Sequence, residues 1–148
     1  MFTRLRALLW SVDAVPAERN LHLAAAALLV EAARMDGRVE AVERRRIVEV
    51  LAHYFHLPGE QAQSLLDQAI PVAERSVQLA GFARTLKDGM DSEARVGLIE
   101  MLWEVVYADG RVDDYEANLV RRLAGLLHVP DQDAGAARKR VKARLGIE

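Results

Sequence analysis

Cysteine is absent from the chain, which excludes disulfides, thiolate nucleophiles and cysteine–zinc centres. No apolar run reaches the roughly 18–20 residues that a membrane-spanning helix needs. Aromatic residues make up only 5%, and the two Trp and three Tyr read as core or interface residues. No stretch alternates with the period of a strand. There is no Gly-rich phosphate loop, nucleophile elbow or His-Glu-x-x-His pattern, so an enzyme is not expected. The net charge is −2, which gives no general attraction to nucleic acid, and no nucleic-acid partner is expected.

What is present is apolar and helical. At 148 residues with 51% apolar and 28% charged side chains, the chain suits one globular domain with a substantial core. The lack of cysteine suits a reducing, cytoplasmic setting. Residues 1–16 read as an N-terminal amphipathic segment and residues 17–148 as the helical domain. Phe2, Leu5, Leu8, Leu9 and Val12 share one helical face, with Arg4 and Arg6 elsewhere. That pattern suits packing on the domain or on a second copy in a homo-oligomer. The alternative is weak association with a membrane surface through residues 2–12. Ser11 and Asp13 interrupt the apolar stretch, and no Ala-x-Ala-type site follows closely, which argues against a signal peptide.

The dominant feature is a repeat. Asp36-Gly37-Arg38-Val39-Glu40 returns as Asp109-Gly110-Arg111-Val112-Asp113, an offset of 73 (109 − 36). At that offset Leu29 meets Leu102, Glu31 meets Glu104, Glu43 meets Glu116, Ile47 meets Val120 and Val50 meets Leu123. Both copies close on a tail, His56-Leu57-Pro58 and His128-Val129-Pro130, one residue out of step. Residues 24–58 and 97–130 therefore read as one helix–turn–helix unit used twice. The fold class is all-α: a compact bundle of about seven to eight helices built from two similar halves by internal duplication.

Spacing predicts helices over about 2–12, 17–35, 41–55, 60–69, 73–87, 92–108, 114–127 and 131–145. Leu21, Ala24, Ala25, Leu28, Leu29 and Ala32 form the stripe of the second, and Gly37 ends it as a left-handed residue. Pro71 kinks or ends the fourth helix, Asp88-Gly89 is a turn, and Asp91 caps the helix that follows. The last helix sets Ala134, Ala137, Val141 and Leu145 on one face and Arg138, Lys139, Arg140, Lys142 and Arg144 on the other.

The repeated acids carry what chemistry there is. Asp113-x-x-Glu116 fits a capping box, and Glu40-x-x-Glu43 is a poorer version because Glu is a disfavoured cap. Asp36 and Asp109 stand at the negative end of a helix dipole, a cost of some tenths of a kcal/mol. An Asx-type turn or a bound cation would offset it. Asp36, Gly37, Val39 and Glu43 fall where an EF-hand loop has Asp, Gly, an apolar residue and Glu, and so do Asp109, Gly110, Val112 and Glu116. Ala32 and Arg34, or Val105 and Tyr107, occupy the first and third ligand places and supply no carboxylate, which excludes an EF-hand. A looser oxygen site remains, suited to a divalent cation such as Ca²⁺ or Mg²⁺. His53, His56 and His128 read as helix-end or interface residues rather than zinc ligands.

A helix, then Asp-Gly-Arg-Val-[Glu/Asp]-x-x-Glu, then a second helix with a Leu/Val-Pro tail, twice over, resembles the tellurite-resistance TerB family. The module is also similar to the N-terminal region of certain membrane-anchored DnaJ-like co-chaperones, though no His-Pro-Asp of a J domain is present. The resemblance covers about residues 20–145, and Tyr107–Glu116 is its most specific part. The first copy departs from the pattern, with Met35 for the usual Ala and Glu40 where a short capping residue belongs. The resemblance implies a bundle of two related halves. It also implies an acidic surface or pocket at the two turns that holds metal ions or a protein partner, in proteins linked to stress and tellurite resistance. Residue by residue it carries over to Asp36, Glu43, Asp109 and Glu116, with Glu40 and Asp113 as additions. The expected function is a non-enzymatic stress-associated binding module. The alternatives are a structural or oligomeric protein whose acids only cap helices, and a metal-dependent hydrolase.

Overall fold

A computed structural model describes residues 16–34, 39–75, 79–108, 112 and 114–147. Among the described residues the chain forms seven helices and no strand. They are α1 (Pro16–Ala33), α2 (Ala41–Phe55), α3 (Gly59–Arg75), α4 (Leu79–Gly89), α5 (Ser92–Val106), α6 (Asp114–Leu126) and α7 (Asp131–Leu145). The two copies of the repeat fall on α1–α2 and α5–α6. The amphipathic segment at 2–12 and the glycine ends of both copies lie outside the described residues.

The core is assembled around α1, which packs against α2, α3, α4, α5 and α6. Every residue from Ala24 to Val30 is buried. The expected stripe was too narrow, because Ala26, Ala27, Val30 and Ala33 are buried as well. A helix that is apolar on all sides must be surrounded, and the alanine run lets its neighbours come close. Burial of Leu28, Leu29 and Val30 stabilises by roughly 1.5–3 kcal/mol each. At its start α1 meets the end of α4 so closely that a Cβ on Gly89 would lie 2.5 Å from Leu21 Cδ2.

Three sequence expectations are corrected. Pro71 does not end its helix: α3 continues to Arg75. Proline removes one backbone donor, but Ala62, Leu66, Ala69 and Ala73 form an unbroken buried stripe across it, and α3 packs along α1. Packing of that stripe outweighs the lost hydrogen bond. The next helix consequently begins at Leu79 rather than near residue 73. Asp88-Gly89 is not a turn but the last residues of α4, where Met90 N–H still donates to Leu86 O at 2.9 Å.

Helix ends follow local chemistry. Asp91 caps α5, its carboxylate accepting from Ala94 N–H at 2.8 Å. The tails that close α2 and α6 share a geometry. His56 and His128 adopt left-handed φ values of 56° and 58°. Leu57 N–H donates to Ala52 O at 3.0 Å, and Val129 N–H to Ala124 O at 2.9 Å. This is the six-residue closure normally served by glycine.

Candidate functional site

Of the acids singled out by the repeat, Asp36, Asp109 and Asp113 lie outside the described residues. Glu40, Glu43 and Glu116 are described. In the first copy Glu40 is the extended residue ahead of α2, with φ −73° and ψ 163°. Its N–H donates to Glu43 Oε1 at 2.8 Å, so Glu43 satisfies an orphan donor at the helix start. Beside them lies a cavity of about 340 Å³ lined by Val30, Arg34, Val39, Glu40, Arg44 and Glu74 among others. Arg34 Nη2 pairs with Glu31 at 3.1 Å, and Arg44 Nε donates to Val39 O at 3.4 Å. Two guanidiniums thus line the cavity beside Glu40.

The second copy is built otherwise. At the offset of 73, Tyr107 replaces Arg34 and Ala117 replaces Arg44. Both are buried, at 5% and 6% exposure. Glu116 is 7% exposed and is the charged residue buried in the core among the described residues. No arginine stands at those two sequence positions, although Arg138 Nε donates to Tyr107 Oη at 2.9 Å and Arg144 pairs with Glu104, the counterpart of Glu31. Among the described residues no group of three or more His, Asp or Glu stands together as a metal site.

The two flanks meet through α2 and α5. Arg46 Nη1 donates to Glu104 O at 3.3 Å, and Tyr54, two turns further along α2, reaches the Glu104 and Glu100 carboxylates. The start of α2 therefore runs beside the end of α5.

The tightest polar cluster among the described residues was not anticipated from the sequence. Glu100 and Glu104, one turn apart on α5, face Arg140 and Arg144, one turn apart on α7. Arg140 Nη2 lies 2.8 Å from Glu100 Oε2. Arg144 Nη2 lies 2.8 Å from Glu104 Oε2 and 3.1 Å from Glu100 Oε1. Tyr54 Oη donates to Glu104 Oε2 at 2.7 Å and accepts from Arg144 Nη2 at 2.8 Å. Burial, reinforced by the Glu104 hydrogen bond and charge, pushes the Tyr54 phenol far above the ordinary tyrosine range, so it stays a donor. Two carboxylates meet two guanidiniums, and the cluster works as a clasp between helices. Arg138 also turns inward: its guanidinium lies 4.4 Å over the Trp103 ring, and Nε donates to Tyr107 Oη at 2.9 Å. Three of the five basic side chains of α7 thus make contacts within the molecule, with Arg140 and Arg144 still half exposed. The signal was Glu-x-x-x-Glu on one helix and Arg-x-x-x-Arg on another, complementary at one spacing.

His53, His56 and His128 lie at helix ends. His53 meets the Tyr54 ring edge-on, and His56 and His128 hold the left-handed closures. His22 stacks on Phe55 at 4.1 Å, and burial lowers its pKa below 6.5 against the opposing pull of Glu18. No helix among the described residues is long and apolar enough to cross a membrane.

The family model described as Tellurite resistance protein TerB matches residues 22–139. The crystal structure of a protein of unknown function from Porphyromonas gingivalis W83 is similar over 83% of this chain and 89% of its own, with 20% identity and a TM-score of 0.60. At that identity the likeness speaks for the fold. No curated protein matches the chain. The family match spans both Asp-Gly turns and every helix from α1 to α6, and the chain belongs to the TerB family.

Proposed function

We propose that this chain is a non-enzymatic binding module whose second Asp-Gly turn holds a divalent cation, Ca²⁺ or Mg²⁺, through Asp109, Asp113 and Glu116, and that the occupied turn is a docking point for a protein partner. The observation that carries this reading is the asymmetry between the copies. Arg34 and Arg44 line the cavity beside the first turn, whereas Tyr107 and Ala117 stand in their places in the second. A cation beside two guanidiniums is opposed by Coulomb repulsion, and the second copy carries no arginine at those two positions. The first copy, with Asp36, Glu40 and Glu43, is read as structural. The Glu43 bond to the Glu40 amide supports a capping role there.

Isothermal titration of metal-free protein with Ca²⁺, Mg²⁺, Mn²⁺ and Zn²⁺ tests the proposal. Asp109→Asn is expected to abolish saturable binding, and Asp36→Asn to leave it within about twofold. Equal losses in both variants would mean a site shared between the turns. No binding in the unmodified protein would reduce the acids to helix caps.

A further inference from the structure

We propose that α7 is a releasable strap, occupying in cis a face of α5 built to receive a basic amphipathic helix. The attachment of α7 is unusually polar. Of its 15 residues only Ala137 and Val141 are buried, and both are small. Its strong contacts come from three arginines. Arg140 and Arg144 pair with Glu100 and Glu104 at 2.8 Å, and Arg138 lies over Trp103 and bonds Tyr107. The paired guanidiniums are half open to water, at 49% and 45% exposure, against 15% for the carboxylates. Salt therefore reaches the arginine side of each pair.

Two clefts open beside α7. A cleft of about 400 Å³, lined in part by Trp103, Val120, Ala124, Ala134 and Arg138, opens on the α6 side. A shallower one of about 620 Å³, lined in part by Tyr54, Val96, Glu100, Ala136 and Arg140, opens on the other.

The charges at the two ends of the helix suit its dipole, although no side chain caps its start. Asp131 and Asp133 stand in its first turn and Lys142 and Arg144 in its last, both favourable to the helix dipole. Gly146 at φ 72° closes its end, with Ile147 N–H donating to Lys142 O at 2.8 Å. Such an element can leave as a unit.

What it leaves behind has a definite chemistry. Glu100 and Glu104 one turn apart flank Trp103 and Tyr107, which are 3% and 5% exposed with α7 in place. An incoming helix would need arginines four residues apart on one face and a third two residues before them, as in Arg138-x-Arg140-x-x-x-Arg144.

The test uses the full chain. Hydrogen exchange at 0.05 and 1 M NaCl is expected to quicken in α7 by about tenfold while α1, α2 and α5 keep their protection. The same selective loss is expected at low salt in the Arg140→Glu/Arg144→Glu chain. A labelled peptide copying residues 131–147 should then bind that chain at least about tenfold more tightly than the unmodified one, and binding should vanish on further Glu100→Gln/Glu104→Gln change. Protection of α7 that falls only together with the rest of the bundle would overturn the strap. Selective release without peptide binding would overturn the docking face. If the charge-reversed chain fails to fold, Arg140→Gln/Arg144→Gln takes its place in both the exchange and the peptide measurements, with the same outcomes decisive.

Discussion

Glu104→Gln and Arg144→Gln, made singly and together, weigh the clasp. Glu104 Oε2 accepts from Arg144 Nη2 at 2.8 Å and from Tyr54 Oη at 2.7 Å. Glutamine at 104 keeps an acceptor for Tyr54 and loses the charge opposite Arg144. A hydrogen bond to a charged group is worth about 1.5–3 kcal/mol when shielded, and an exposed ion pair about 0–1. Here the carboxylate is 15% exposed and the guanidinium 45%, so the pair falls between, near 1 kcal/mol of coupling. Glu104→Gln alone should cost about 1.5 kcal/mol, because Arg144 retains Glu100 at 3.1 Å. Urea unfolding of the four proteins reads the coupling directly. For a chain of this size, 1 kcal/mol corresponds to roughly 3 °C in Tm. At 0.5 M NaCl the coupling should fall by about half. Coupling within about 0.3 kcal/mol of zero at both salt concentrations would refute the argument, leaving the clasp as geometry without energy.

Two further predictions rest on single residues. Glycine at position 56 or 128 relieves a left-handed backbone that costs an L-residue roughly 1 kcal/mol; both histidines are exposed, so His56→Gly and His128→Gly should each raise stability by about 0.5–1 kcal/mol in urea unfolding. His22 holds its proton less tightly when folded than its ordinary pKa of 6.5, so the unfolded chain binds more protons below that pH. Its contribution is complete above 6.5 and is lost as pH falls through the window beneath it. The drop in Tm between pH 7.5 and 5.5 should therefore shrink in His22→Gln, and an unchanged drop would remove His22 from the account.

The sequence made some of this fold legible and hid the rest for physical reasons. The range 41–55 was read correctly because its periodicity, its acidic start and its Leu-Pro tail agree. Asp91 was legible because a cap acts on amides three residues away. Pro71 misled because its cost is local and visible, while the α3 stripe packing on α1 that overrides it is tertiary. The clasp was missed because each half looks solvated by itself: Glu100/Glu104 resemble an outward acidic face and Arg140/Arg144 an outward basic one, and the 40 residues between them conceal the match. The difference between the copies became visible once Arg34 and Arg44 were seen lining the cavity beside Glu40.

The alanine run in α1 has a consequence for how the protein can vary. Five helices share one slender axle, so its girth is a common dimension rather than a private one. Widening Ala25, Ala26 or Ala27, all wholly enclosed, by even a methylene would have to be answered on several sides at once. Substitution should be tolerated at the periphery and refused along this line, which makes the least chemically expressive stretch of the chain its most restrictive one.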